Sequence, residues 1–418
     1  MAAAQSIRSC LPSATSDKET ADLLDELILA LQHASDVGGQ LLVLRQRLAL
    51  CDRIGDPPAS RLRLAADLAD ARFHNYEDTT SLLPELQTLV AATELDEIRR
   101  LRVAKVLMIT ADSLFDESLA QVVYATMPRQ PKLFMATLLR DQIELIYHTV
   151  FGNRDVAMHL AGSVDGLAAK HDLSPASLSA QLTAAIAYRM LDSRPSDTTS
   201  LERLYERCLS ASMHDAAVRV SVRIGNIHFE DGALALARFW CDRASALIER
   251  SGIQRFGGDY IALQIDLALE RHDFSAAQTF VDMAPLHLPV LASPRASREL
   301  LVYQVRVELH SSERAKASSS RIACLMEWHN RAKHFGRHDD NMQVLWTALW
   351  RSERRAEASA LLRDYLLNTR RERRACSFVL RSRTAEDPIW RELAEGDTWS
   401  RSGGANAIAQ RAGPVAQA

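Results

Sequence analysis

The chain has 418 residues, of which 47% are hydrophobic, and its 50 basic and 53 acidic side chains leave a net charge of −3. This composition is typical of globular proteins and excludes a collagen-like or wholly disordered chain. The near-neutral charge gives no global attraction to nucleic acid or anionic lipid. No apolar run approaches the roughly 18 residues that a membrane span needs, and the N-terminus lacks a secretory signal pattern. We therefore expect a cytoplasmic protein with no membrane partner.

The content of cysteine, glycine and proline favours a reduced, helical chain. The six cysteines are scattered without a C-x-x-C pair, which argues against a disulfide framework or a zinc knuckle. Only 16 Gly and 13 Pro interrupt long stretches rich in Ala, Leu and Arg, which are strong helix formers. The sequence therefore predicts helix almost throughout.

In chain order, residues 1–17 are predicted to be a flexible N-terminus, and a helical repeat domain is predicted over 18–380. Apolar residues at helical spacing, such as Leu23, Leu24, Leu27 and Leu31, predict amphipathic helices. Three helical hairpins are expected first, formed by 18–34 with 39–54, by 60–74 with 78–93, and by 95–113 with 116–127. The forty-residue spacing described next is not regular in this N-terminal part.

From Gly152 onward, clusters of turn-forming residues recur every 40 residues. They lie at Gly152, Asp192, Gly232, His272, Ser312 and Ser352. Five residues after the turn the column is mostly small, with Ala157, Ala237, Ala277 and Ala317, which suits two closely packed antiparallel helices. Because a hairpin cannot bury its own apolar face, such units stack on their neighbours. The predicted fold class is all-α: an α-α superhelix of about nine helical hairpins with a period of about 40 residues.

Three stretches resemble the tetratricopeptide repeat. One runs from Ile224-Gly225 through Phe229 and Gly232 to Ala237, Cys241 and Ala244. The other two, from His272 to Ala284 and from Gly152 to Ala157, repeat the second half of the pattern. The period is 40 rather than the roughly 34 of that family. The longer pairs resemble the repeat region of MalT-like bacterial transcription activators. This resemblance implies a non-enzymatic regulatory or adaptor protein in bacterial signalling or transcriptional regulation.

The sequence contains no phosphate-binding loop, no H-E-x-x-H motif and no dinucleotide-binding glycine pattern. Gly162 to Gly166 imitates the G-x-S-x-G nucleophile motif, but it lies in an amphipathic helix without a preceding strand. His329, His334 and His338 are the densest group of metal-ligand residue types, but a turn around Gly336 interrupts them. We therefore predict no catalytic residue, no metal site and no cofactor.

The tetratricopeptide resemblance implies that the first helix of each hairpin lines a concave groove. The polar and aromatic residues in the inward columns are Arg219, Asn226, Glu230, Asp259, Asp266, Glu270, Arg306, His310, Trp346 and Trp350. Asn226 resembles the Asn with which the family holds a peptide backbone, since its amide both donates and accepts. The expected ligand of this groove is a protein or peptide, and a small effector is the alternative. The same columns also fit a solvated surface of ordinary charges.

An arginine-rich segment near the C-terminus offers a different function. Between Arg351 and Arg383 there are ten arginines and four acidic residues, and Arg370, Arg371, Arg373 and Arg374 form a basic patch. Such a patch binds phosphate groups or an acidic partner. The alternative function is therefore a DNA- or RNA-associated regulator that binds through these helices. Residues 381–418 are predicted to form a separate C-terminal segment, disordered after about 397.

Overall fold

The computed structural model describes residues 2–33, 36–75, 77, 79–114, 116–170, 174–191, 198–251, 258–287, 294–311, 316–334 and 342–368. Within these ranges the chain forms nineteen α-helices and two short 3-10 helices, at Leu11–Ser13 and Thr80–Leu82, and no strand. The predicted all-α class is confirmed.

Eleven helices precede residue 211. They are α1 (Ala2–Cys10), α2 (Asp17–His33), α3 (Val37–Ile54), α4 (Pro58–His74), α5 (Leu83–Ala91), α6 (Glu97–Leu114), α7 (Glu117–Thr126), α8 (Phe134–Val150), α9 (Arg154–Ala169), α10 (Pro175–Met190) and α11 (Thr199–Ser210). Eight more follow. They are α12 (His214–Glu230), α13 (Leu234–Ser251), α14 (Gly258–Glu270), α15 (Phe274–His287), α16 (Pro294–Ser311), α17 (Ser319–His334), α18 (Met342–Arg351) and α19 (Arg355–Asn368).

After α1, the described helices form nine consecutive pairs, α2 with α3 through α18 with α19, as the predicted number of hairpins requires. We call the even-numbered helix of each pair its first helix. The first helices begin at residues 17, 58, 97, 134, 175, 214, 258, 294 and 342. The step between them averages about 41 residues, so the forty-residue period extends into the N-terminal part, where the sequence does not display it.

The turns within the C-terminal hairpins use a left-handed residue. Gly232, His272 and Glu353 have φ angles of 77°, 57° and 62°. At each turn the next N–H returns to a carbonyl in the last helical turn, as from Asp273 to Ala268 at 3.0 Å. This is the common C-terminal stop of α-helices. The predicted breaks near Gly152, Gly232, His272 and Ser352 are confirmed, and those at Asp192 and Ser312 lie outside the described residues.

The small residues that follow each turn are buried, as predicted. Ala157, Ala237, Ala277 and Ala358 are 0% exposed and Ala317 is 6% exposed. With only a methyl group at these positions, the two helix backbones of a hairpin approach closely. The alanine column is therefore a packing device of the repeat.

The chain divides into two compact units. Unit 1 comprises residues 1–224, 240–260 and 284–297, and unit 2 comprises residues 225–239, 261–283 and 298–418. In unit 1, apolar clusters connect α1 to α4, α4 to α8, and α8 to α10. In unit 2, one cluster joins α16, α17, α18 and α19 around the side chain of Trp346.

The two ends of the chain were predicted to be less ordered than the repeat. At the N-terminus the structure instead places α1 against the first hairpin, with Ala4 1% exposed and Ile7 and Leu11 packed on the same core. The spacing of these apolar residues is helical, which accounts for the difference. Residues 369–418, including the C-terminal segment 381–418, lie outside the described residues. No helix in the described ranges has the length and apolar character to cross a membrane.

Candidate ligand-binding surface on the first helices

Two first helices of unit 2 bring predicted groove residues into contact. Arg306 on α16 forms an ion pair with Asp266 on α14, forty residues earlier. Glu270 and His310 lie four residues after these partners, one helical turn along the same faces, and both are exposed. These four residues, which we call the polar patch, therefore share one surface, as the forty-residue columns predict.

His310 is hydrogen-bonded within the polar patch, to the backbone of Arg306. Its ring nitrogen Nδ1 lies 2.8 Å from the carbonyl oxygen of Arg306. Partial desolvation of the ring lowers the pKa of His310, and the nearby Arg306 and Arg351 add to this effect. The imidazole is therefore neutral at pH 7, and the patch presents a carboxylate at Glu270 beside a neutral ring.

Both tryptophans that were predicted to end the groove lie in or against the apolar core. The predicted groove position is therefore wrong for Trp346. Trp346 is 1% exposed and stacks on Trp350, with ring centroids 5.3 Å apart. Trp350 is half-buried, and the guanidinium of Arg355 lies 3.6 Å from its ring centre. The reason is the short first helix α18, whose Val344, Leu345, Trp346, Ala348 and Leu349 are all buried. A helix apolar on every side has no groove face.

The remaining predicted residues are spread over both units. In unit 1, Arg219 forms an ion pair with Asp215 at 2.7 Å, and Asp259 is 65% exposed and lies 3.8 Å from Arg223. In unit 2, Asn226 is half-buried on α12. Glu230 ends α12, and its side chain lies outside the described residues, as do the four arginines of the basic patch. The structure therefore brings Asp266, Glu270, Arg306 and His310 together on unit 2.

The sequence features that imitate catalytic or metal sites lie on helices wherever the structure describes them. Gly162 to Gly166 lies inside α9, where no strand-to-helix turn exposes Ser163. His329 is 4% exposed on α17, and the side chains of His334 and His338 lie outside the described residues. Among the described residues, no three metal-ligand side chains come together.

A shallow pocket of about 590 Å³ lies between α11 and α13 in unit 1. The guanidinium of Arg243 lies over the rings of Tyr205 and Trp240, at 5.2 and 5.1 Å from their centres, and 3.7 Å from Glu206. These charged and aromatic groups contact each other. The pocket belongs to the second helices and is separate from the polar patch.

Sequence reasoning missed a polar interior in unit 1. Lys105 on α6 is 7% exposed, and its Nζ donates to the hydroxyl of Ser179 on α10 at 2.6 Å. Arg219 on α12 donates to the carbonyl oxygen of His74 on α4 at 3.1 Å, across 145 residues. First helices from four hairpins thus meet through polar side chains. The available signal was a single lysine within the apolar run Val103-Ala104-Lys105-Val106-Leu107-Met108.

Burial controls the charges of this interior. Desolvation lowers the pKa of Lys105 to about 8. Burial opposes ionisation of Asp70 on α4, but His74, Arg102 and Lys105 outweigh it and lower the pKa of that carboxyl. At pH 7 the interior therefore holds an ionised Asp70 beside a largely protonated Lys105.

Comparisons with known proteins concern the overall helical architecture. No family model and no curated protein sequence matches the chain. Among solved structures, the chain is similar to Rap protein complexed with competence and sporulation factor, at 12% identity and a TM-score of 0.48, over 91% of this chain and 99% of that one. It is also similar to yeast Tom70, at 12% identity and a TM-score of 0.32, over 98% of this chain and 95% of that one. At this identity neither comparison transfers a residue or a role.

Proposed function

We propose that this protein is a non-enzymatic adaptor that binds a protein or peptide partner on the first-helix surface of its tetratricopeptide-like repeats. The single observation that carries the proposal is the contact between Asp266 and Arg306 on successive first helices. Side chains forty residues apart share a surface there, so an extended ligand lying across the first helices meets equivalent positions one after another.

The chemistry of the polar patch and of Asn226 suits a peptide. Glu270 accepts hydrogen bonds from backbone N–H groups, and the half-buried Asn226 on α12 offers both a donor and an acceptor. The ion pair between Asp266 and Arg306 is mostly shielded, since their side chains are 18% and 16% exposed. This pair therefore holds α14 and α16 in register, and the more exposed Glu270 and His310 are left to contact a ligand.

The proposal includes a role in bacterial signalling or transcriptional regulation. Its support is the resemblance of the stretch from Ile224 to Ala244 to tetratricopeptide repeats and of the longer hairpins to MalT-like activators. A small effector in place of a peptide would use the same polar positions.

The second candidate function is nucleic-acid binding through Arg370, Arg371, Arg373 and Arg374. Its support is the local charge of the segment from Arg351 to Arg383 in an otherwise near-neutral chain. Aromatic residues for base stacking are not interleaved with these arginines, so this candidate ranks second.

The test begins with peptides selected on the immobilised full-length protein from a random library. Their affinities are then measured by fluorescence anisotropy for the wild type and for the double variant Asn226→Ala with Glu270→Ala. Each lost buried contact is worth about 1–3 kcal/mol, or roughly 5- to 150-fold in affinity.

The matched control is the double variant Glu249→Ala with Asn330→Ala, which removes the same chemical groups from exposed positions on the second helices α13 and α17. It should bind the selected peptides as the wild type does. Equal affinities of the two double variants would reject the first-helix surface as the binding site.

A further inference from the structure

The pocket between α11 and α13 in unit 1 has the size and the walls of a small-molecule site. Its volume of about 590 Å³ lies within the range of known ligand pockets. Most of its lining comes from α11, at spacings of three and four residues that place the side chains on one helix face. The α11 residues are Thr199, Glu202, Arg203, Glu206 and Arg207, and α13 adds Trp240 and Arg243.

The two carboxylates that line the pocket are already engaged by the protein. Glu202 Oε1 accepts a hydrogen bond from the hydroxyl of Thr198 at 2.6 Å. Glu206 forms an ion pair with Arg243 at 3.7 Å. The negative charges of the pocket are therefore held at its α11 start and beside α13.

Arg203 and Arg207 are the cations that remain for a ligand. Arg203 is exposed and Arg207 is half-buried, and neither side chain forms an ion pair or a hydrogen bond within the described part of the chain. They lie one helical turn apart, with their Cβ atoms about 5–6 Å from each other. Both guanidinium groups therefore reach the same volume of the pocket.

This pair of guanidinium groups suits a phosphate monoester better than a carboxylate. One guanidinium fork binds two oxygens with parallel N–H···O bonds, so the two oxygens of a carboxylate occupy a single arginine. A phosphate monoester offers three oxygens and carries a charge close to −2 at neutral pH. It can therefore engage Arg203 and Arg207 together.

The α13 side of the pocket provides a stacking surface. The buried rings of Tyr205 and Trp240 meet edge to face, with centroids 5.1 Å apart, and the guanidinium of Arg243 lies over both. The Arg243 side chain is 40% exposed and lines the pocket, so it also faces a ligand. Guanidinium planes stack on aromatic rings. Burial raises the pKa of Tyr205, so its phenol stays neutral and does not repel an anion.

We propose that this pocket binds a small aromatic phosphate monoester. Arg203 and Arg207 hold the phosphate oxygens, and the aromatic ring of the ligand stacks on the guanidinium of Arg243. The site lies on second helices and shares no residue with the polar patch. The proposal is therefore independent of peptide binding by the first helices.

The test is isothermal titration calorimetry of the full chain at pH 7 and constant ionic strength. The probes are phenyl phosphate, cyclohexyl phosphate, which keeps the phosphate but lacks the aromatic ring, and benzoate, which keeps the ring but carries a carboxylate. We expect saturable binding of phenyl phosphate, roughly tenfold tighter than that of benzoate and about threefold tighter than that of cyclohexyl phosphate. Adenosine monophosphate and O-phosphotyrosine then identify the aromatic body, since the better-fitting one binds more tightly than phenyl phosphate.

Two variants separate the roles of the arginines. Arg203→Gln with Arg207→Gln should weaken phenyl phosphate binding at least roughly tenfold. The matched control, Arg61→Gln with Arg63→Gln, removes two exposed arginines from α4 and should bind as the wild type does. Arg243→Lys keeps the positive charge but removes the planar group, so it should bind phenyl and cyclohexyl phosphate equally.

Each part of the proposal has a result that overturns it. Absence of saturable phenyl phosphate binding to the wild type would reject the site, and equal binding by the two double variants would reject the α11 arginines as its anchor. Benzoate binding as tight as that of phenyl phosphate would reject the phosphate. Equal binding of the two phosphates to the wild type would reject the aromatic ring, and this comparison needs no variant to fold.

Discussion

Replacing Lys105 by Met tests the account of the polar interior through stability alone. The folded chain holds the pKa of Lys105 at about 8, whereas a lysine in the unfolded chain titrates near 10.5. Below pH 8 both states bind the proton. Between pH 8 and 10.5 the unfolded chain keeps the proton that the folded chain has lost, so the free energy of unfolding rises with pH.

The size of this effect follows from the same two values. Each pH unit across this window raises the free energy of unfolding by about 1.4 kcal/mol. The wild type is therefore stabilised by about 3 kcal/mol between pH 8 and 10.5. Lys105→Met lacks the titrating group and has no such gain. Because the desolvation of the Lys105 ammonium group outweighs its attraction to Asp70, we expect the variant to be more stable than the wild type at pH 7, with an advantage that shrinks as the pH rises.

The assay is urea unfolding followed by circular dichroism, in phosphate-free buffers from pH 7 to 10.5. Subtracting the two curves removes every other titrating group. The control Lys316→Met removes a lysine that is exposed and paired with Glu353 at 3.0 Å, and it should give a curve parallel to that of the wild type. A Lys105→Met curve that is also parallel to the wild type would refute the desolvation of the Lys105 ammonium group.

Four further substitutions test the packing of the repeat by thermal or urea unfolding. Ala237→Trp should overpack a hairpin and cost about 1–3 kcal/mol, whereas Trp at the exposed Ala235 should be tolerated, and equal stabilities would refute the register. His272→Gly should stabilise the chain by about 1 kcal/mol because it relieves a positive φ, and Gly232→Ala should destabilise it by a similar amount; the opposite signs would contradict the left-handed turns. Trp346→Ala should lower the free energy of unfolding by about 3–5 kcal/mol, since it leaves a cavity in the core of unit 2. A loss under 1 kcal/mol would contradict the burial of Trp346 and favour its predicted position in the groove.

The turns and the close helix contacts of the C-terminal hairpins could be predicted from local sequence. Turn residues such as Gly232 and His272 stop helices by backbone conformation, and small residues such as Ala237 and Ala277 mark close helix contacts. Both signals act within one hairpin and are therefore visible in the order of residues. In the N-terminal hairpins the turn chemistry varies, as with Asp36 capping α3 through the N–H of Gly39, so the same period escapes detection.

The site could be predicted less fully, because its geometry depends on contacts between distant hairpins. The forty-residue columns of the sequence correctly predicted that Asp266 and Arg306 lie side by side. The same columns wrongly included Trp346 as a groove residue, because the columns do not account for the apolar neighbours that bury α18. The contact of Lys105 with Ser179 joins residues 74 positions apart. A single lysine in an apolar run indicates burial, and its partners come from the packing of α6 on α10.

The central claim, a peptide-binding surface on the first helices, competes with binding through the basic C-terminal segment. Two variants separate them: Asn226→Ala with Glu270→Ala for the surface, and reversal of Arg370, Arg371, Arg373 and Arg374 to Glu for the basic end. Four phosphate contacts would make binding fall roughly a hundredfold between about 50 and 200 mM salt. Hydrogen bonds from peptide N–H groups to Glu270 and Asn226 depend far less on salt.

The most direct measurement is therefore the affinity of one selected peptide and of one DNA duplex for the wild type and both variants at these two salt concentrations. The account predicts that the peptide binds the wild type and the basic-end variant equally at both salts, and that the first-helix variant loses it. Duplex binding that exceeds peptide binding, falls steeply with salt and disappears only in the basic-end variant would contradict the account.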